Sequence, residues 1–235
     1  MSARQIRREL RKVSSPAKAK VLQGFFKTGP GEYGEGDVFI GVMTAPLRAL
    51  AKKYHQAGFA ELKSLLQSKV HEERVLALMI LVSQYRKADD KKKARIFDFY
   101  LKHRKHVNNW DLVDGSAHQI VGAHLNGRDR ALLLRFAASK DLWERRIAIV
   151  STFHTIRQGR SADTLHISKL LLKDKEDLIH KAVGWMLREV GKHCSVRELE
   201  TFLKKHGPRM PRTALRYAIE RFPEPKRRMY LKIKS

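Results

Sequence analysis

Glu73-Arg74-Val75-Leu76-Ala77-Leu78 and Glu144-Arg145-Arg146-Ile147-Ala148-Ile149 read as two copies of one helical text. Each opens on a charged turn and closes on an apolar run around a central alanine. The same place recurs at Ala182 and Ala214 at steps of thirty-odd residues, and Asp114 takes it in between. A period of that length holding two helices is the pattern of an α-solenoid, in which each repeat buries its apolar face on its neighbours.

The rest of the chain agrees. Apolar residues recur at three and four over 73–85, 94–101, 128–138, 143–156, 165–172, 178–190, 196–203 and 214–222. Short polar or glycine-containing breaks separate many of them. No alternating strand pattern appears, so the expected class is all-α: an α-α superhelix of tandem repeats with a concave, basic face. We expect one domain over 1–235, with N-terminal helices and a glycine-rich loop in 1–43 and tandem repeats in 44–235. That loop, Thr28-Gly29-Pro30-Gly31-Glu32-Tyr33-Gly34-Glu35-Gly36-Asp37, lacks the Gly-Lys-Ser/Thr of a phosphate-binding loop. It is expected to pack on, or reach toward, the ligand.

Composition points to an anionic partner. Forty-nine Lys and Arg against 24 Asp and Glu give a net charge of +25, with a pI near 10.4, and the excess is spread along the chain. That is the electrostatic footprint of nucleic-acid binding ahead of anionic lipid. The single cysteine, Cys194, excludes a disulfide framework and a thiolate metal site and fits a reducing, intracellular (cytoplasmic) setting. The basic N-terminus lacks a signal-peptide core, and the longest apolar run, Val75 to Val82, is too short to span a membrane.

Two tryptophans stand beside charges. In a helix over 178–190, Ile179, Val183, Met186 and Val190 make a core stripe, while Lys181, Trp185 and Arg188 fall on the opposite face. That face suits something anionic with flat rings or apolar sugars. In Asn108-Asn109-Trp110-Asp111-Leu112-Val113-Asp114, helical spacing puts Trp110, Asp114, Ala117 and Val121 on one mostly apolar stripe. A carboxylate there needs a partner or a function, and an aromatic beside a carboxylate can hold a cation. His103 and His106 read as a solvated basic turn. His118 and His124 lack partners at metal-ligand spacing, so neither a metal nor a cofactor is expected.

Taken in order, Asn109–Asp114, Trp143–Ala148 and Lys181–Glu189, with Phe39-Ile40-Gly41-Val42, Thr44 and Arg48, resemble the AlkD-like family of DNA alkylation-repair glycosylases over about 25–221. The resemblance implies HEAT-like helical repeats. It also implies excision of N3- and N7-alkylated purines from double-stranded DNA, without conventional base flipping and without a cofactor. By position it makes Asp114 the catalytic carboxylate and Trp110 and Trp185 its aromatic contacts. Arg146 becomes the backbone-positioning arginine, and Thr44, Arg48, Arg188 and Lys181 further DNA contacts. A third aromatic maps to Phe25 or Phe26; phenylalanine there lacks the family's tyrosine hydroxyl, and His154 stands where the family has lysine. A monomer acting on alkylated duplex DNA is expected. The alternative is a non-catalytic HEAT-like module that binds nucleic acid; Asp114 separates the two, because a pure binder has no use for a carboxylate facing phosphates.

Overall fold

The computed structural model describes residues 2–232. Helices follow one another along the chain, and among the described residues no strand forms; Val38 and Val70 make an isolated parallel bridge. No helix among those residues is long and apolar enough to cross a membrane.

Contacts cluster into two compact units, Met1–Ser116 and Ala117–Ser235. The first holds α1 (Ala3–Lys12), α2 (Pro16–Phe25), α3 (Thr44–Lys53), α4 (Phe59–Leu66), α5 (His71–Lys87), α6 (Asp90–His103) and most of α7 (Trp110–Ala117). The second holds α8 (Ala131–Ala137), α9 (Leu142–Ser151), α10 (Phe153–Ile156), α11 (Ala162–Leu170), α12 (Asp177–His193), α13 (Val196–His206), α14 (Arg212–Ala218) and α15 (Glu224–Leu231).

Local chemistry sets the boundaries. Asp89 accepts the Lys92 N–H at 2.7 Å and starts α6. Glu72 and Glu73 occupy the first turn of α5 and Arg86 and Lys87 its last, each charge opposing the nearby end of the helix dipole. The helical run expected over 143–156 is divided at Thr152, whose hydroxyl donates to the Ile149 carbonyl at 2.7 Å in competition with the helix ladder.

The repeat is real at the level of packing. Ala77, Ala148, Ala182 and Ala214 lie on α5, α9, α12 and α14, and all four are buried. Asp114, in the corresponding place on α7, is half-exposed instead. Close helix approach requires a small residue at Gly184, where a Cβ would stand 2.4 Å from the Ala214 carbonyl oxygen. Near the start of α12, the Arg146 guanidinium of α9 donates to the Leu178 carbonyl.

Candidate active site

The N-terminal unit builds an aromatic stack. Phe26 is buried and lies nearly parallel to Trp110, with centroids 5.1 Å apart and planes at 9°. Its ring also packs on Phe39 at 4.9 Å and on the His71 imidazole at 4.9 Å. Phe25 meets Trp110 edge-on at 5.9 Å yet remains 62% exposed. Phe26 is therefore core, and Phe25 lies at the surface beside it.

Trp110 and Asp114 are one turn apart on α7. The expected apolar stripe is not what carries them. Leu112, Val113, Ser116 and Ala117 form the buried side of α7, while Trp110, Asp111 and Asp114 are half-exposed and Gly115 is exposed. Beyond Ala117 the helix widens into a π turn, His118–Gly122, so straight α-helical spacing does not extend to Val121. Asp114 thus has an open side toward solvent. Behind it, the buried Tyr100 hydroxyl lies 3.1 Å from Ser116 Oγ, and Ser116 donates to the Leu112 carbonyl at 2.6 Å. Burial raises the Tyr100 pKa, and the Asp114 charge adds to the rise.

Beneath the stack lies a network that the sequence reading missed. His71 Nδ1 faces Asp37 Oδ2 at 3.0 Å, and Nε2 faces Asp111 Oδ2 at 2.8 Å. Arg74 pairs with Asp37 at 2.6 Å, and the Asn109 amide donates to the same oxygen at 3.1 Å. The other charges of this turn are also spoken for. Glu73 pairs with Arg7 of α1 at 2.7 Å, and Glu72 accepts from the N–H groups of Ile40, Gly41 and Val42. All four residues of His71-Glu72-Glu73-Arg74 are buried. Removing one partner from a buried pair of this kind typically costs about 3–5 kcal/mol.

The protonation states follow from these contacts. Burial alone would lower the His71 pKa, but its hydrogen bonds to Asp111 and Asp37 outweigh that and raise it. Burial alone would raise Asp37, but the donors His71 and Arg74 bring it down to about 2. His71 therefore contributes stability that is complete below its ordinary 6.5 and fades as pH rises through the raised value. Asp37 contributes stability present above about 4 and lost as pH falls toward about 2. The melting temperature is expected to be highest between those limits. His71→Gln should flatten the alkaline fall relative to wild type; identical alkaline limbs would remove His71 from the account.

In the C-terminal unit, Lys181, Trp185 and Arg188 share the half-exposed side of α12, as their spacing implies. Trp185 packs against Phe153 at 5.8 Å. The two cations, however, already have acidic partners. Lys181 pairs with Asp177 at 2.8 Å, and Arg188 binds Glu189 at 2.9 Å and also Glu220. Arg146, expected to meet phosphate, is 4% exposed, and its guanidinium donates to the Leu178 carbonyl. His154 on α10 is held below its ordinary pKa by burial and by Arg160 and Arg157, so it offers hydrogen bonds more than charge.

Thr44 and Arg48 are exposed one turn apart at the start of α3. His103 is not part of a solvated turn: it is buried, donates from Nδ1 to the Phe99 carbonyl at 2.8 Å and packs 4.3 Å from the Phe99 ring. The Cys194 thiol is pushed up by burial and donates to the Ile156 carbonyl at 3.5 Å.

The family model described as "DNA alkylation repair enzyme" matches residues 6–222. The chain belongs to this family. Membership gives it a role in DNA repair and accounts for the basic excess. A solved structure described as a predicted DNA alkylation repair enzyme from Enterococcus faecalis aligns with a TM-score of 0.69 at 17% identity, covering 90% of this chain and 97% of that one. At that identity the likeness speaks for the helical-repeat fold. Curated proteins give no match.

Proposed function

We propose that this protein is a monofunctional DNA glycosylase that hydrolyses the N-glycosidic bond of N3- and N7-alkylated purines in duplex DNA. The observation that carries the reading is Asp114: a carboxylate on the open side of α7, one turn from a tryptophan whose ring is fixed against Phe26. Alkylation at N3 or N7 makes the purine cationic and a good leaving group. The C1′–N bond breaks, its electron pair leaves with the now neutral base, and positive charge moves to the deoxyribose. A carboxylate stabilises that oxocarbenium-like centre and accepts a proton from the water that bonds to C1′.

Aromatic faces add cation–π stabilisation of about 0.5–2 kcal/mol each; beside Asp114 that role falls to Trp110, with Phe25 at its edge. Because the substrate brings its own charge, neither a deep base pocket nor a strong general acid is required, which supports excision without conventional base flipping. Arg48 and Thr44 contact the DNA backbone from α3; from the C-terminal unit His154 does so too, and Lys181 and Arg188 exchange their exposed partners Asp177 and Glu220 for phosphates. Release of 7-methylguanine from methylated duplex DNA tests the reading. Tight duplex binding with no release would leave the non-catalytic module.

The two arginines of differing burial are expected to separate in salt titrations. Arg48→Ala should lower the slope of log affinity against log salt by about one unit, the loss of one phosphate contact. Arg146→Ala should leave that slope alone and lower the melting temperature, since it removes a tie between α9 and α12. The reverse pattern would put Arg146 on the DNA.

A further inference from the structure

We propose that the Asp37–His71–Asp111 bridge is a positioning element of the active site, which fixes the first turn of α7 and with it the Trp110 ring and the Asp114 carboxylate. The inference rests on the reading of Asp114 as the catalytic group. It gives the glycine-rich loop a purpose, because the loop ends on Asp37.

The geometry is specific. Residues on both sides of Trp110 are fastened to one imidazole: Asp111 directly at 2.8 Å, and Asn109 through Asp37 at 3.1 Å and then 3.0 Å. The Trp110 ring is held from the same place, because it stacks on Phe26 and Phe26 packs on His71. One residue of α5 therefore restrains both the backbone and the ring of Trp110. Protonated, His71 does this with both ring nitrogens, and the Arg74 guanidinium also lies 3.2 Å from Nδ1. A rigid ring with two N–H groups can donate to two carboxylates on opposite sides, whereas a glutamine presents one donor end and one acceptor end. With His71 protonated the charges balance, His71 and Arg74 against Asp37 and Asp111.

The loop is built to make the delivery. Lys27 takes a left-handed turn at φ 50° just before it. Within it, Glu32 accepts the Gly29 N–H and Glu35 the Gly31 N–H, each at 2.9 Å. The Asp37 N–H then closes on the Gly34 carbonyl at 3.0 Å. Asp114 lies one turn beyond Trp110, so slack in the first turn of α7 becomes misplacement at the reacting centre, where about 1 Å can cost about 100-fold in rate.

The test is a double-mutant cycle on single-turnover release of 7-methylguanine, using His71→Gln and the milder Asp111→Asn, each alone and with Asp114→Asn. Asp111 is partly exposed, so its variant keeps a folded protein if the buried histidine does not. Expected is a loss of about 10–100-fold for each single variant, duplex affinity within about twofold of wild type, and no further loss once Asp114 is replaced. The second readout is the Trp110 indole N–H resonance, expected to shift or broaden in Asp111→Asn. A wild-type excision rate in folded Asp111→Asn with an unmoved indole signal overturns the proposal, as do losses that simply multiply with that of Asp114→Asn. A moved indole signal beside normal excision by Asp114→Asn upholds the bridge and overturns the catalytic assignment instead.

Discussion

Replacing Asp114 by asparagine is expected to slow base release by about 10²–10³-fold, the loss seen when one preorganised group facing transition-state charge is removed. Asparagine keeps the size and the hydrogen-bonding shape of the side chain but not its charge. Affinity for undamaged duplex should stay nearly constant, because backbone binding is set by cations and the half-exposed side chain is not core. Single-turnover kinetics with saturating enzyme separate the two. An unchanged rate would remove Asp114 from the chemistry and return α7 to a structural role.

Gly41→Ala is expected to be the most damaging single-methyl change for stability. Gly41 has φ +81°, and a Cβ there would meet the Ser15 carbonyl oxygen at 2.0 Å and the Ala19 nitrogen at 2.7 Å. Both are backbone atoms and cannot rotate away. Left-handed strain costs about 1–2 kcal/mol and overpacking about 1–3 kcal/mol. For a chain of this size each kcal/mol moves the melting temperature by about 2–4 °C. The turn also joins α2 to the body of its unit through the Ser15 N–H to the Ile40 carbonyl at 3.0 Å. Displacing α2 should therefore disturb Phe25 and slow excision as well. A variant that melts with wild type would show that the Ser15–Ala19 segment moves aside at little cost.

Much of this architecture is legible in the sequence because helices write their burial locally. The buried alanines of α5, α9, α12 and α14 share a period that the text itself displays, and the face of α12 bearing Trp185 follows from spacing alone. Legibility fails where a contact joins distant segments. Asp37 and His71 are separated by 34 residues, His71 and Asp111 by 40, and Asp37 and Asn109 by 72. Nothing in the spacing of these residues announces the bridge. His71-Glu72-Glu73-Arg74 looks like the solvated first turn of a helix and is buried because each charge finds its partner elsewhere. The burial of Arg146 is equally non-local: its guanidinium donates to the Leu178 carbonyl, 32 residues away.

Under the proposed function, that of a monofunctional glycosylase, the protein would cut the bond between an alkylated base and its sugar and leave the strand intact. The direct measurement is a mole balance on duplex DNA carrying 7-methylguanine, with free base quantified by mass spectrometry and abasic sites by aldehyde-specific labelling. Equal amounts of the two are expected, growing together, with unbroken strands and with both products formed about 10²–10³-fold more slowly in Asp114→Asn. Duplex bound tightly with no free base formed, or methylguanine converted to guanine without an abasic site, would contradict the proposed function.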